Sequence, residues 1–295
     1  MIVNLSHRLS TNATDTVSAI HLNDRLVHYE VVGRRGQPIL FLHSWLGSWR
    51  YWLPTMDHIS EHYRAYALDF WGFGESDRHR NTFALADYVD MVYGFMDNLG
   101  MNKVSLVGHG LGGIVAISAA SKQPDRFRKV MTVSTPILGT HVHGASRPGA
   151  LSRLFGRSTP INTWIRLIRQ IEIDDPQIHR EIVEDTESLS AHVVQQIMTS
   201  IANIDLRSDL AKLELPLLAI YGQKDTFVNP EQASFLRENH RHMQQVLKLP
   251  KSSHFPFLDQ TNVFNRALLD FLKSEGTPIE IKAEWRRRVS QTEYI

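Results

Sequence analysis

Val104-Ser105-Leu106-Val107-Gly108-His109-Gly110-Leu111-Gly112-Gly113 reads as a strand, a glycine-rich turn and the start of a helix of small and apolar residues. An apolar run without alternation suits a strand buried on both faces of a parallel sheet. Val104–Ser121 carries no charge and approaches the length of a membrane-spanning helix, but its glycines argue against one continuous helix. A phosphate cradle is a second possibility at such a turn. The stretch lacks the Lys-Ser/Thr pair of a phosphate loop, however, and fits G-x-G-x-x-G only with Gly113 in third place. No acidic residue ends a second strand at the distance ribose recognition prefers, so dinucleotide binding is a weak reading.

Working outward, Pro38–Leu42, Ala65–Leu68, Lys129–Val133 and Pro216–Tyr221 are further apolar strand candidates, and Val17–Leu22 with Val27–Val32 look like a paired opening. Helical spacing marks Ala84–Leu99, Gly112–Lys122 and Thr261–Leu272. Strands alternating with helices predict a mostly parallel sheet covered by helices. From Ile137 to Asp205 the alternation stops; a Gly/Pro/Arg-rich loop and helices at Trp164–Ile171 and Ala191–Ile201 replace it. The expected organisation is a core of 17–136 and 206–274, a helical cap over 137–205, and terminal extensions 1–16 and 275–295.

The 295 residues carry 32 Lys plus Arg against 31 Asp plus Glu, a balance that offers no overall field for nucleic acid or acidic membranes. Cysteine is absent, which excludes disulfides, thiolate nucleophiles and zinc-thiolate sites. Met1–Asp15 has no apolar signal segment, so a soluble, cytoplasmic protein is expected. His141 and His143 stand at i, i+2 without a nearby carboxylate, and neither a metal nor a cofactor is expected. Arg286-Arg287-Arg288 reads as part of a solvated tail.

The turn also matches G-x-S-x-G, with Gly110 where Ser is expected. With that match the chain resembles the α/β-hydrolase fold superfamily at five places in order. The others are Leu40-Phe41-Leu42-His43-Ser44-Trp45-Leu46-Gly47, similar to H-G-x-x-G after a strand; Asp69-Phe70-Trp71-Gly72-Phe73-Gly74-Glu75-Ser76, similar to D-x-x-G-x-G-x-S; Tyr221-Gly222-Gln223-Lys224-Asp225; and Ser253-His254-Phe255-Pro256. The resemblance implies an eight-stranded, mostly parallel sheet with the cap after the sixth strand. It implies Asp225 as the acid, His254 as the base, and an oxyanion hole from the N–H groups of Trp45 and Leu111. The nucleophile slot falls on Gly110, which has no side chain, so Asp-nucleophile chemistry of the epoxide hydrolase kind is excluded as well. Ser44 stands where the family usually has Gly, and His43, Ser44, His109, Trp71 and Phe255 are expected to line the pocket.

Four readings of this site stay open. His254, oriented by Asp225, acts as a general base on an apolar or aromatic carbonyl substrate without an elbow nucleophile. Alternatively the chain is a non-catalytic ligand-binding relative, or an ordinary serine ester or carbon–carbon hydrolase whose Ser was replaced by Gly110. Finally, the His–Asp pair is purely structural. A small molecule is the expected partner in the first three, with a protein as the other possibility for the binding relative. Ser44, Ser134 and Thr135 are hydroxyls near strand ends, each of which would have to meet His254 to act as a substitute. Trp45, Trp49, Trp52, Trp71 and Phe73 either border the pocket or pack beneath it. Arg147, Arg153, Arg157, Arg166 and Arg169 read as a solvated face partly paired with Asp174, Asp175 and Glu181.

Overall fold

The computed structural model describes residues 18–78, 83–142, 160–171, 173, 175–238 and 244–274. Its eight strands are β1 (Ala19–Leu22), β2 (Arg25–Val32), β3 (Gln37–Leu42), β4 (Tyr63–Leu68), β5 (Val104–His109), β6 (Phe127–Val133), β7 (Leu217–Gly222) and β8 (Gln244–Leu249). They form one sheet in the order β1-β2-β4-β3-β5-β6-β7-β8. The pairs β1/β2 and β2/β4 are antiparallel and all later pairs are parallel. The five apolar runs become β3 to β7, buried on both faces over most of their length. The eighth strand has no such run: Gln244–Leu249 is half-buried over five of its six residues, as befits an edge.

The helices are α1 (Leu53–Ile59), α2 (Leu85–Asn98), α3 (Leu111–Lys122), α4 (Pro160–Gln170), α5 (Pro176–Glu187), α6 (Ala191–Ala202), α7 (Arg207–Lys212), α8 (Ala233–Glu238), α9 (Pro256–Asp259) and α10 (Thr261–Lys273). The uncharged stretch is therefore strand, turn and buried helix. Among the described residues no helix is long and apolar enough to cross a membrane. Helix α3 presses so closely on the sheet that a Cβ on Gly112 would lie 2.1 Å from the Leu42 carbonyl oxygen, and one on Gly113 1.9 Å from Thr135 Oγ1. Those glycines are required by contact rather than by phosphate binding.

Chain direction reverses at β3/β5. From β3 the chain moves outward to β4, and from β5 it moves the other way to β6. Loops after β3 and β5 therefore diverge at the carboxyl ends of the strands, the usual ligand position in such sheets. The stretches at 137–139 and 204–206 lie side by side. Leu206 N–H donates to Ile137 O and Gly139 N–H to Ile204 O, both at 2.9 Å, and Leu138 bridges Asp205. Arg50 ties α5 to the loop after β3, reaching Glu181 and Asp185 at 3.1 Å and Glu75 at 2.8 Å.

The Asp69–Ser76 motif is a structural knot. Asp69 accepts from Trp49 N–H at 2.8 Å and Glu75 N–H at 3.0 Å, and Ser76 Oγ donates to Asp69 O at 2.6 Å. A Cβ on Gly74 would lie 2.1 Å from the Asp69 carboxylate, which explains that glycine. His28 donates Nδ1–H to Asp69 Oδ2 at 3.0 Å. Burial opposes its charge, but the bonds to Asp69 and Glu30 and the charges of Asp69 and Glu75 outweigh that and raise its pKa to about 9. Because the folded value exceeds the ordinary 6.5, this stabilisation is complete below pH 6.5 and is lost as pH rises through about 9. The melting temperature is expected to fall across that window, and His28→Gln to remove that component of the slope. A wild-type melting temperature that stays level from pH 6.5 to 9 would refute a charged His28.

Candidate active site

The β3/β5 register sets the site. Leu42 pairs with Gly108 in parallel register, so two residues further on Ser44 and Gly110 emerge side by side at the carboxyl edge. Gly110 has φ 50° and ψ −109° and is the N-cap of α3. Left-handed φ is costly for any residue with a Cβ, which gives the turn its glycine. Ser44 is fully buried, and its Oγ lies 2.1 Å from where a Cβ on residue 110 would stand. The space usually needed by a side chain at the turn is thus taken up from the neighbouring loop.

His43 fixes that loop. Its Nδ1 donates to Ser44 O at 2.6 Å and its Nε2 accepts from Phe70 N–H at 2.9 Å, which defines a neutral ring. Burial holds its pKa below the ordinary value. A carbonyl and the following N–H point opposite ways in a trans peptide, so the Trp45 N–H faces away from His43.

Asp225 and His254 come from the turns after β7 and β8, adjacent parallel strands. Asp225 Oδ1 accepts the N–H groups of Phe227 at 2.8 Å and Val228 at 3.0 Å, leaving Oδ2 to His254 Nδ1 at 2.7 Å. In the neutral ring, with Nδ1–H donated to a carboxylate, the lone pair stands on His254 Nε2. That atom is buried and has no hydrogen-bond partner. His109 holds the same loop: its Nε2–H donates to His254 O at 3.0 Å. Burial and the neighbouring His254 keep the His109 pKa well below its ordinary value, so it stays neutral.

Aromatic rings enclose His254. The rings of His109, Trp164 and Phe255 lie 4.6, 4.8 and 5.2 Å from that of His254, and Phe227 at 5.5 Å. Trp164 also stacks at 4.6 Å on Trp45 and donates Nε1–H to Tyr51 Oη at 3.2 Å, while Tyr51 donates to Leu46 O at 3.0 Å. Trp164 on α4, Tyr51 and Phe227 belong to this enclosure without having been singled out from the sequence. Trp164 gave only a helical apolar spacing, which any core residue shows.

Other expected site residues sort differently. The Phe255 ring lies against that of His254; Trp71 is buried, and its backbone carbonyl accepts from Tyr88 Oη at 3.1 Å. Trp52 packs on Phe41 and Phe257, and Phe73 on His43, so both belong to the floor. Trp49 lies under Arg50, 4.9 Å from its guanidinium. Thr135 Oγ1 donates to Val133 O at 3.1 Å, which occupies its hydroxyl. Among the described residues Arg169 pairs with Glu187, while Glu181 serves Arg50 and Asp175 caps α5. Arg147, Arg153, Arg157, Asp174, His143, the residues up to 17 and the tail from 275 lie outside the described residues. Among the described residues no group of His, Asp and Glu is arranged to hold a metal ion.

Comparison with known proteins agrees with this architecture. The sequence model of the family described as alpha/beta hydrolase fold matches residues 37–191. A pimeloyl-acyl-carrier-protein methyl ester esterase of Shewanella woodyi is 28% identical over 83% of this chain and 97% of its own length. Epoxide hydrolase 4 of Mus musculus is 25% identical over 84% of this chain and 76% of its own. Among solved structures, the enol-lactonase from Burkholderia xenovorans superposes with a TM-score of 0.73 at 20% identity, covering 87% of this chain and all of that one.

Proposed function

Since the chain belongs to the α/β-hydrolase fold family, we propose that it hydrolyses an apolar or aromatic carboxylic ester or related carbonyl compound, with His254 as general base oriented by Asp225. The carrying observation is the state of His254: Nδ1 is bound by a fixed carboxylate, and Nε2 is buried without a hydrogen-bond partner, in a ring 4.6 Å from that of His109, the residue before Gly110. A ring held in that tautomer is ready to take a proton from water or a hydroxyl. The likeness to a methyl ester esterase across nearly the whole of that protein supports an ester substrate.

In this reading the N–H groups of Trp45 and Leu111 receive the developing oxyanion. Both orientations are compatible with the backbone: Ser44 O is engaged by His43, and Gly110 O by Ile114 N–H at 3.1 Å along α3. Each following N–H therefore points the other way. Residues 137–205 act as the cap, with Trp164 covering the base and excluding water. The reaction so written uses the chain's own residues and water.

The test is turnover of a short-to-medium series of methyl and aryl esters and lactones by the wild type and by His254→Ala, with calorimetric binding of the same compounds. The expected result is hydrolysis that falls to the uncatalysed background in the variant while affinity is kept. Equal turnover by both proteins would remove His254 from the chemistry, and binding without turnover by either would leave a ligand-binding relative.

A further inference from the structure

We propose that Ser44 supplies the nucleophilic hydroxyl of this site, displaced from the β5–α3 turn to the loop after β3. The inference rests on the hydrolytic reading of the His254–Asp225 pair and names the group on which that base acts.

Position is the first argument. The parallel register carries Ser44 alongside Gly110, and Ser44 Oγ occupies the space of the missing side chain, 2.1 Å from the place of its Cβ. A hydroxyl borne by residue 110 would lie one bond from that same point. The second argument is the state of the hydroxyl. Ser44 Oγ is buried without a hydrogen-bond partner, and so is His254 Nε2. A buried hydroxyl with no partner is destabilising and is seldom retained for packing, since alanine would avoid the polar atom. Among the buried atoms without a partner, Ser44 Oγ offers a donor, and His254 Nε2 and His109 Nδ1 each an acceptor; of these two rings, that of His254 is oriented by a carboxylate. Catalytic hydrogen bonds are often long without substrate and tighten in the complex.

A serine nucleophile at the turn would be followed by the Leu111 N–H; a nucleophile at 44 is followed by the Trp45 N–H, already turned from His43 by the Ser44 carbonyl bond. Ser134 is the competing hydroxyl, also buried and partnerless, at φ 44°. It is not among the nearest neighbours of the residue 110 Cβ position, where the three nearest atoms all belong to Ser44.

The step balances without any further reagent than water. His254 Nε2 takes the Ser44 hydroxyl proton as Oγ bonds to the carbonyl carbon and the carbonyl π pair moves to oxygen. On collapse the bond to the leaving alkoxide breaks, and His254 returns the proton to it. Water then attacks the acyl-Ser44 ester, giving its proton to His254; the Oγ–carbonyl bond breaks and Ser44 recovers a proton, releasing the carboxylic acid.

The experiment is covalent labelling of the full-length protein with an alkyl fluorophosphonate, read by intact mass and peptide mapping. The phosphorus–oxygen bond forms as fluoride leaves. One label on Ser44 of the wild type is expected, together with none on His254→Ala, loss of ester hydrolysis by about a thousandfold or more in Ser44→Ala, and normal behaviour of Ser134→Ala. A label on another residue, or no label, overturns the inference, and neither observation depends on a variant folding. Should Ser44→Ala hydrolyse at the wild-type rate while His254→Ala does not, Ser44 is wrong and the hydrolytic reading stands. Should both variants keep the rate, the reading of the dyad itself fails.

Discussion

Gly110→Ser alone is expected to give a less stable protein with ester hydrolysis reduced about a thousandfold or more, whereas the paired exchange Ser44→Gly with Gly110→Ser restores hydrolysis. The single change places a Cβ 2.1 Å from Ser44 Oγ and 3.0 Å from Ser44 Cβ, so Ser44 must turn its hydroxyl aside and its Cβ remains crowded. Backbone strain adds to this, because φ 50° at residue 110 suits glycine and costs another residue about 1–3 kcal/mol. Several degrees of melting temperature should be lost. In the paired exchange the overlap disappears while the strain remains. That protein should therefore melt below the wild type yet form a fluorophosphonate adduct on residue 110 instead of 44. The contrast is a double-mutant cycle in which two neighbours share one space, and its coupling should be large. If Gly110→Ser by itself proves more active than the wild type and equally stable, Ser44 does not hold that space and the hydroxyl has not moved.

That coupling also marks where sequence reading reaches its limit. The central strands were legible because β3 to β7 are buried on both faces and so are written as apolar runs. Gln244–Leu249 was not, because an edge strand is half-buried and its alternating residues resemble a surface. At the site, the order of the motifs pointed to Gly110, Asp225 and His254, and the structure brings the last two to 2.7 Å. The meeting of Ser44 with Gly110 is a register effect: 66 positions separate them in sequence, and only the pairing of Leu42 with Gly108 makes them neighbours. A serine in place of glycine and a glycine in place of serine read as two unrelated departures until one side chain is seen in the other's space. Trp164 was hidden for a different reason. Its helix is amphipathic like any packed helix, and nothing in that spacing says that it will cover a histidine from another loop.

Asp225→Asn is expected to lower kcat about ten-thousandfold with little change in KM or melting temperature, the loss characteristic of a histidine held in the wrong tautomer. Two backbone N–H groups face Oδ1, from Phe227 at 2.8 Å and Val228 at 3.0 Å. Both are donors, so an asparagine at 225 must turn its carbonyl oxygen toward them and its NH2 toward His254 Nδ1. The ring then accepts at Nδ1 and carries its proton on Nε2, the atom that should take one from the hydroxyl. Size and hydrogen-bond count are preserved, so stability changes little. Asp225→Ala instead leaves the ring free in both tautomers and orientations, and should be inactive but also less stable, since the Phe227 and Val228 N–H groups lose their acceptor. Steady-state kinetics on the best ester, with nitrogen NMR of the His254 ring in wild type and Asp225→Asn, checks both halves. A ring protonated on Nδ1 in the variant, or hydrolysis within tenfold of the wild type, would show that Asp225 positions a structural histidine rather than a base.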